Sequence, residues 1–128
     1  MMTRTLAAFA GRLSLAIPLC FAVVTQAFAH AELVSSSPPA NGMAMPPPTE
    51  LTLKFSEGIE LKFTAVKVKG PDGAAVKTGP LKIDANDATL LIVPLASPLL
   101  DGEYTVNWQA LAKDGHKTKG HYTFSSMK

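Results

Sequence analysis

Of the 128 residues only one is cysteine, Cys20, and only two are arginine, Arg4 and Arg12. From residue 30 onward the chain has neither, and each absence removes a class of protein. A cysteine-free domain cannot use disulfides, so it must be held together by its core. The ten lysines that remain face ten carboxylates, so the surplus of two positive charges belongs to the first 29 residues. Residues 30–128 therefore have no electrostatic footprint for nucleic acid or anionic lipid. Long apolar runs are also missing. Leu13 to Val24 is about a dozen residues, short of the roughly 20 needed to span a bilayer, and no later stretch approaches that length. There is no Ser-His-Asp set, no Gly-rich phosphate loop and no CxxC pair. Sustained 3.6-residue periodicity is absent after residue 30, apart from a single expected turn near Ser97 to Leu100.

The features that are present begin with export. Arg4 and Arg12 supply a positive start, Leu13 to Val24 an apolar middle, and Ala27-Phe28-Ala29 a small-x-small junction, which together read as a signal peptide over 1–29. Leu19 stands before Cys20 where a lipobox needs a small residue, so no lipid anchor is expected. Cleavage would leave 30–128, about 100 residues, the common size of one domain with one core. Its first residue would be His30.

That position changes the chemistry of the histidine. A chain-terminal histidine offers a free α-amine and an imidazole Nδ1 that can close a chelate ring on one metal ion. An amine has an ordinary pKa of about 7.7–8 and an imidazole about 6.5, so both yield their protons to a strongly bound metal near neutral pH at little cost.

The remaining chain reads as short strands. Leu51, Leu53 and Phe55 alternate with polar neighbours. Phe63 to Lys69 is rich in β-branched and aromatic residues, and Pro71-Asp72-Gly73 after it is a turn signal. Ala31 to Ser35, Ala75 to Lys77 and Leu81 to Ile83 are further candidates. Thr89 to Val93 is a nearly continuous apolar run, expected to meet other structure on both faces. Tyr104, Val106, Trp108 and Ala110 share one face of a long strand, and Tyr122 and Phe124 share one face of the last, with His121 and Thr123 on the other. About seven strands with turn signals every 8–12 residues predict a small all-β fold, an antiparallel sandwich or Greek-key barrel. Gly102-Glu103-Tyr104 at a strand start suggests a tyrosine corner, in which the phenol bonds back to upstream backbone.

Three histidines lie at or beyond the junction. In Asp114-Gly115-His116 the carboxylate and imidazole are two residues apart and project to the same side of an extended segment. Taken alone, this is ordinary turn chemistry. Joined to a terminal His30 it gives an amine, two imidazoles and a carboxylate, a nitrogen-rich set suited to tetragonal Cu(II). Zinc is the chemical rival, although affinity orders favour Cu(II) for the same ligands. His121 in its strand and Glu57 at a strand end are candidates for supporting roles around the metal. Met43 and Met45 carry thioethers that bind soft Cu(I), but two methionines are few for a site, and they read as packing or loop residues.

His30 to Pro38, Leu53-Lys54-Phe55-Ser56-Glu57, Tyr104-Thr105-Val106-Asn107-Trp108 and Asp114 to Phe124 together resemble the CopC family of periplasmic copper-binding proteins, and more closely its YobA-type branch. The resemblance covers essentially all of 30–128. It implies a seven-stranded Greek-key β-barrel of cupredoxin-like or immunoglobulin-like shape, Cu(II) ligands at His30, Asp114 and His116, and an acidic neighbour at Glu57. It also implies one Cu(II) per chain, a role in copper homeostasis or resistance, and handover to an inner-membrane partner of the CopD type. Some family members carry a Met- and His-rich loop for Cu(I) at the opposite end, whereas Val68 to Pro80 here has neither residue. Two other readings compete with a copper carrier. A histidine-brace copper oxygenase uses the same amine-plus-imidazole chelate, but needs an open coordination position and an aromatic substrate platform that this sequence does not offer. The other is a metal-free immunoglobulin-like interaction module.

Overall fold

The computed structural model describes residues 30–128 together with 11, 14 and 16–18. The expected signal peptide, with Arg4, Arg12, Cys20, Ala27 and Ala29, otherwise lies outside the described residues.

Alternating apolar patterns become strands that close into two facing sheets. One holds β1 (Leu33–Ser37), β3 (Glu50–Phe55), β7 (Asp87–Pro94) and β6 (Lys82–Asp84), in the order β1-β3-β7-β6. The other holds β2 (Met43–Ala44), β9 (Lys117–Ser126), β8 (Gly102–Leu111), β4 (Ala65–Lys69) and β5 (Ala75–Val76), in the order β2-β9-β8-β4-β5. All pairings are antiparallel except β2 with β9, which is parallel. The all-β expectation therefore holds, as a sandwich. Among the described residues the strands number nine, against about seven expected; β2 is one that the sequence does not show, having only two residues and no alternation to read. The expected turn near Ser97 to Leu100 is not helical, and Leu99 instead inserts into the core at 3% exposure. A 3-10 turn, Leu61–Phe63, stands elsewhere.

The core forms where the two inner faces meet. Leu51, Leu53 and Phe55 from β3 face Val106 and Ala110 from β8 and Tyr122 and Phe124 from β9. Burying each such side chain is worth about 1.5–3 kcal/mol, which is how a domain without disulfides stays folded. In β7, Leu91 and Val93 are fully buried while Leu90 and Ile92 are only half-buried, so one face of that run meets the core and the other is partly wet. The tyrosine corner is present: Tyr104 Oη donates to the Leu100 carbonyl at 2.9 Å, and the ring stacks on Phe124 at 5.5 Å. Ten register pairs join β8 to β9, and this long ribbon carries the site to one end of the sandwich. One of those pairs sets Trp108 across from Gly120, where a Cβ would stand 2.7 Å from Trp108 Cζ2. Glycine is needed there so that the indole can lie over the strand and meet Phe55 edge-on at 5.2 Å.

Candidate metal centre

Three segments converge at that end: the chain around His30, the loop after β3, and the turn joining β8 to β9. The first is fixed by two hydroxyls remote in sequence. Ser56 Oγ donates to the His30 carbonyl at 3.0 Å and accepts from the Glu32 N–H at 2.9 Å. Thr118 Oγ1 donates to the Ala31 carbonyl at 2.6 Å, and Ala31 itself is fully buried. Each such hydrogen bond contributes about 0.5–1.5 kcal/mol net, enough together to hold a segment that would otherwise fray. The β3 loop and the β8–β9 turn are tied by the Lys113 N–H, which donates to the Gly58 carbonyl at 3.0 Å.

The turn has its own logic. Leu111 pairs with Lys117, and the Ala112 N–H donates to the His116 carbonyl, so the intervening residues must reverse the chain. Gly115 does so at a φ of +92°, a conformation that favours glycine. Asp114 then accepts the His116 N–H at Oδ1, 3.0 Å, while its Oδ2 lies 3.1 Å from His116 Nδ1. The backbone N–H of His116 holds the Asp114 carboxyl below the ordinary carboxylate range, the His116 imidazole adds to this, and partial burial opposes it. With Nδ1 turned to the carboxylate, Nε2 is the nitrogen that would meet a metal, the arrangement by which carboxylates orient metal-binding imidazoles.

The His30 and His116 rings meet edge to face with centroids 5.0 Å apart. Imidazole–metal bonds are about 2 Å, so two rings sharing one ion keep their donor nitrogens about 3–4 Å apart, a spacing compatible with centroids 5.0 Å apart. The structure brings His30, Asp114 and His116 to one end of the sandwich. Among the described residues no three His, Cys, Asp or Glu side chains are already arranged to grip an ion. Asp114 is engaged with its own turn, and the α-amine exists only once the chain is cut before His30.

The supporting candidates differ in position. Glu57 follows Ser56 in the β3 loop and is half-buried at the same end. His121 points outward from β9 opposite Asn107, and it lines a cleft of about 500 Å³ whose other walls include His30, Leu33 and Trp108. Met43 and Met45 do not pack: they are 57% and 62% exposed. Sequence reasoning missed Ser56 and Thr118. Each hydroxyl bonds a backbone group far away in the chain, and nothing in a single sequence signals that pairing.

Comparison with known proteins identifies the family. A family profile described as the CopC domain matches residues 33–126. Protein YobA of Escherichia coli K12 is 46% identical over 114 residues, which make up 89% of this chain and 92% of the relative. Copper resistance protein C of Escherichia coli is 36% identical over 117 residues, 84% of this chain and 89% of that one. The crystal structure of CopC from Methylosinus trichosporium OB3b superposes with a TM-score of 0.70 at 29% identity, covering 76% of this chain and 93% of that one. A profile match across most of the chain, supported by relatives aligned over nearly their full length, shows that the chain belongs to the CopC family.

Proposed function

We propose that the chain is exported, loses residues 1–29, and then works in the periplasm as a copper carrier, binding one Cu(II) through the His30 amine and imidazole, His116 and Asp114. Glu57 stands near the ion, and His121 supports from β9. The observation that carries this reading is the meeting of the His30 and His116 rings at 5.0 Å, because it joins the proposed chain terminus to the Asp-Gly-His turn. Relatives named for copper resistance support the choice of metal. A site on a terminus and a turn, open to solvent, suits a protein that gives its ion away, and an inner-membrane protein of the CopD type is the proposed recipient. Half-buried Trp108 packs on Phe55 and offers no flat aromatic platform for a polymer, so binding without catalysis is the better reading.

The test is pH. Amine and imidazole nitrogens bind only when unprotonated, so copper is expected to leave as the pH falls through about 6 to 4. Unfolding should come later. Asp87 is held down to about 2, first by the hydrogen bond from Lys54 and then by Thr89, and Asp114 is lowered too. A carboxylate depressed in the folded state contributes stability that is complete above its unfolded pKa, about 3.9, and is lost as the pH falls towards the folded value. That window lies below the one for copper release. Visible absorbance and far-ultraviolet dichroism followed over the same pH range should therefore change in sequence, metal first. A copper complex unchanged at about pH 3 would rule out ligation by amine and imidazole.

A further inference from the structure

Beside the metal end, the 3-10 turn Leu61–Phe63 presents two large apolar side chains to solvent, Leu61 at 39% and Phe63 at 54% exposure. The last residue of β8 fixes its position. The Glu60 N–H donates to the Leu111 carbonyl at 2.8 Å, and the Leu111 N–H donates to Thr64 Oγ1 at 3.5 Å. Ala112 comes next, and its N–H donates to the His116 carbonyl. One strand end therefore carries both the apolar turn and the Asp-Gly-His turn.

Neither Leu61 nor Phe63 belongs to the core. Lys62 Nζ lies 5.6 Å from the Phe63 ring centroid, a cation–π contact that an exposed lysine can leave at little cost. Single exposed apolar residues need no explanation, but charge surrounds this pair. In the regular register of β4, β8 and β9, Ala65, Gln109 and Lys119 form one outward row, and Lys67, Asn107 and His121 the next. The rows are about 7 Å apart and wall a cleft of about 450 Å³. Lys119 and His121 also line the cleft that holds His30, together with Lys117. Among the described residues the only lysine side chain that meets a carboxylate is Lys54, on Asp87. Lys62, Lys67, Lys117 and Lys119 thus gather positive charge on one side of a domain whose lysines and carboxylates are equal in number. Like charges brought together stabilise nothing by themselves, whereas an anionic occupant would offset them.

We infer that Leu61 and Phe63, with Lys62, Lys67, Lys117 and Lys119 around them, form the face on which a copper-exchange protein docks through an acidic surface with an apolar recess. Desolvated aromatic anchors supply much of the affinity of an interface, and charges at the rim steer the encounter. Docking here sets the partner beside His30 and His116. That the partner takes copper rests on the Cu(II) reading above, while the face itself rests on the exposed turn and its lysines. A bilayer fits less well, because two side chains of one short turn insert little apolar area and a flat headgroup layer does not fill a cleft.

The probe is a short peptide in which glutamate alternates with leucine, added to the isotopically labelled, metal-free chain beginning at His30. Amide shifts should move most at 61–67, 109–111 and 117–121, and binding should weaken as added salt screens the lysines. Phe63→Ala should weaken binding by more than about tenfold, and so should Lys67→Glu combined with Lys119→Glu. Urea midpoints should hold, since these side chains are exposed. Leu100→Ala, at a residue 68% exposed before the other end of β8, should bind the peptide as the parent does. The inference is overturned if Phe63→Ala binds as tightly as the parent, if the shifts centre elsewhere, or if the peptide does not bind, whether or not phosphatidylglycerol vesicles do. Cu(II) affinity should be the same in Phe63→Ala and its parent. A parent that binds the peptide but no Cu(II) would overturn the copper-exchange identity of the partner and leave the acidic docking face standing.

Discussion

His116→Ala is expected to weaken Cu(II) binding by at least about a hundredfold while leaving the metal-free domain almost unchanged. Loss of an outer partner around a metal already costs about 10–100-fold, and here a proposed ligand itself is removed. Stability should move little because the His116 side chain is 42% exposed. The backbone bond from the His116 N–H to Asp114 does not need the imidazole. Surface changes of this kind usually stay within about 0.5 kcal/mol. Copper titration alongside a urea melt of the metal-free variant checks both halves. A melt displaced as far as that of a core variant would make His116 a structural residue.

Phe124→Ala should behave in the opposite way. Its ring is 1% exposed and stacks on Tyr104, whose hydroxyl closes the tyrosine corner. Truncating a buried phenylalanine costs about 3–5 kcal/mol, a large part of the 5–15 kcal/mol that holds a typical domain together. Yet Phe124 is seven residues along β9 from Lys117, the neighbour of His116, about 23 Å in an extended strand. The urea midpoint should therefore fall steeply, while copper affinity, measured where the variant is still folded, should stay near that of the parent. A variant that keeps its stability would mean that the sheets are not held by this inner face.

Both expectations rest on features that can be read in the chain. Alternation in Leu51 to Phe55, Tyr104 to Ala110 and Tyr122 to Phe124 sorts inward from outward residues correctly, because a period of two leaves little choice once one face is buried. Trp108 falls on the inner face as its spacing requires, but at the sheet end near His30 it is only half-buried, and alternation says nothing of where along a strand the core stops. The nearness of His30 to Asp114 and His116 is legible from the resemblance. The hydroxyls of Ser56 and Thr118 that fix the His30 segment are not, since each acts across a long stretch of chain.

A terminal histidine differs from any other by its amine, so the most direct test changes only that group. Cu(II) should be titrated calorimetrically into two proteins, one beginning at His30 and one carrying a single extra residue before it, with both melting alike in urea. A chelate ring through the amine predicts that the extended form binds more weakly by orders of magnitude. Equal affinities in the two forms would contradict the account and leave His116 and Asp114 without the partner proposed for them.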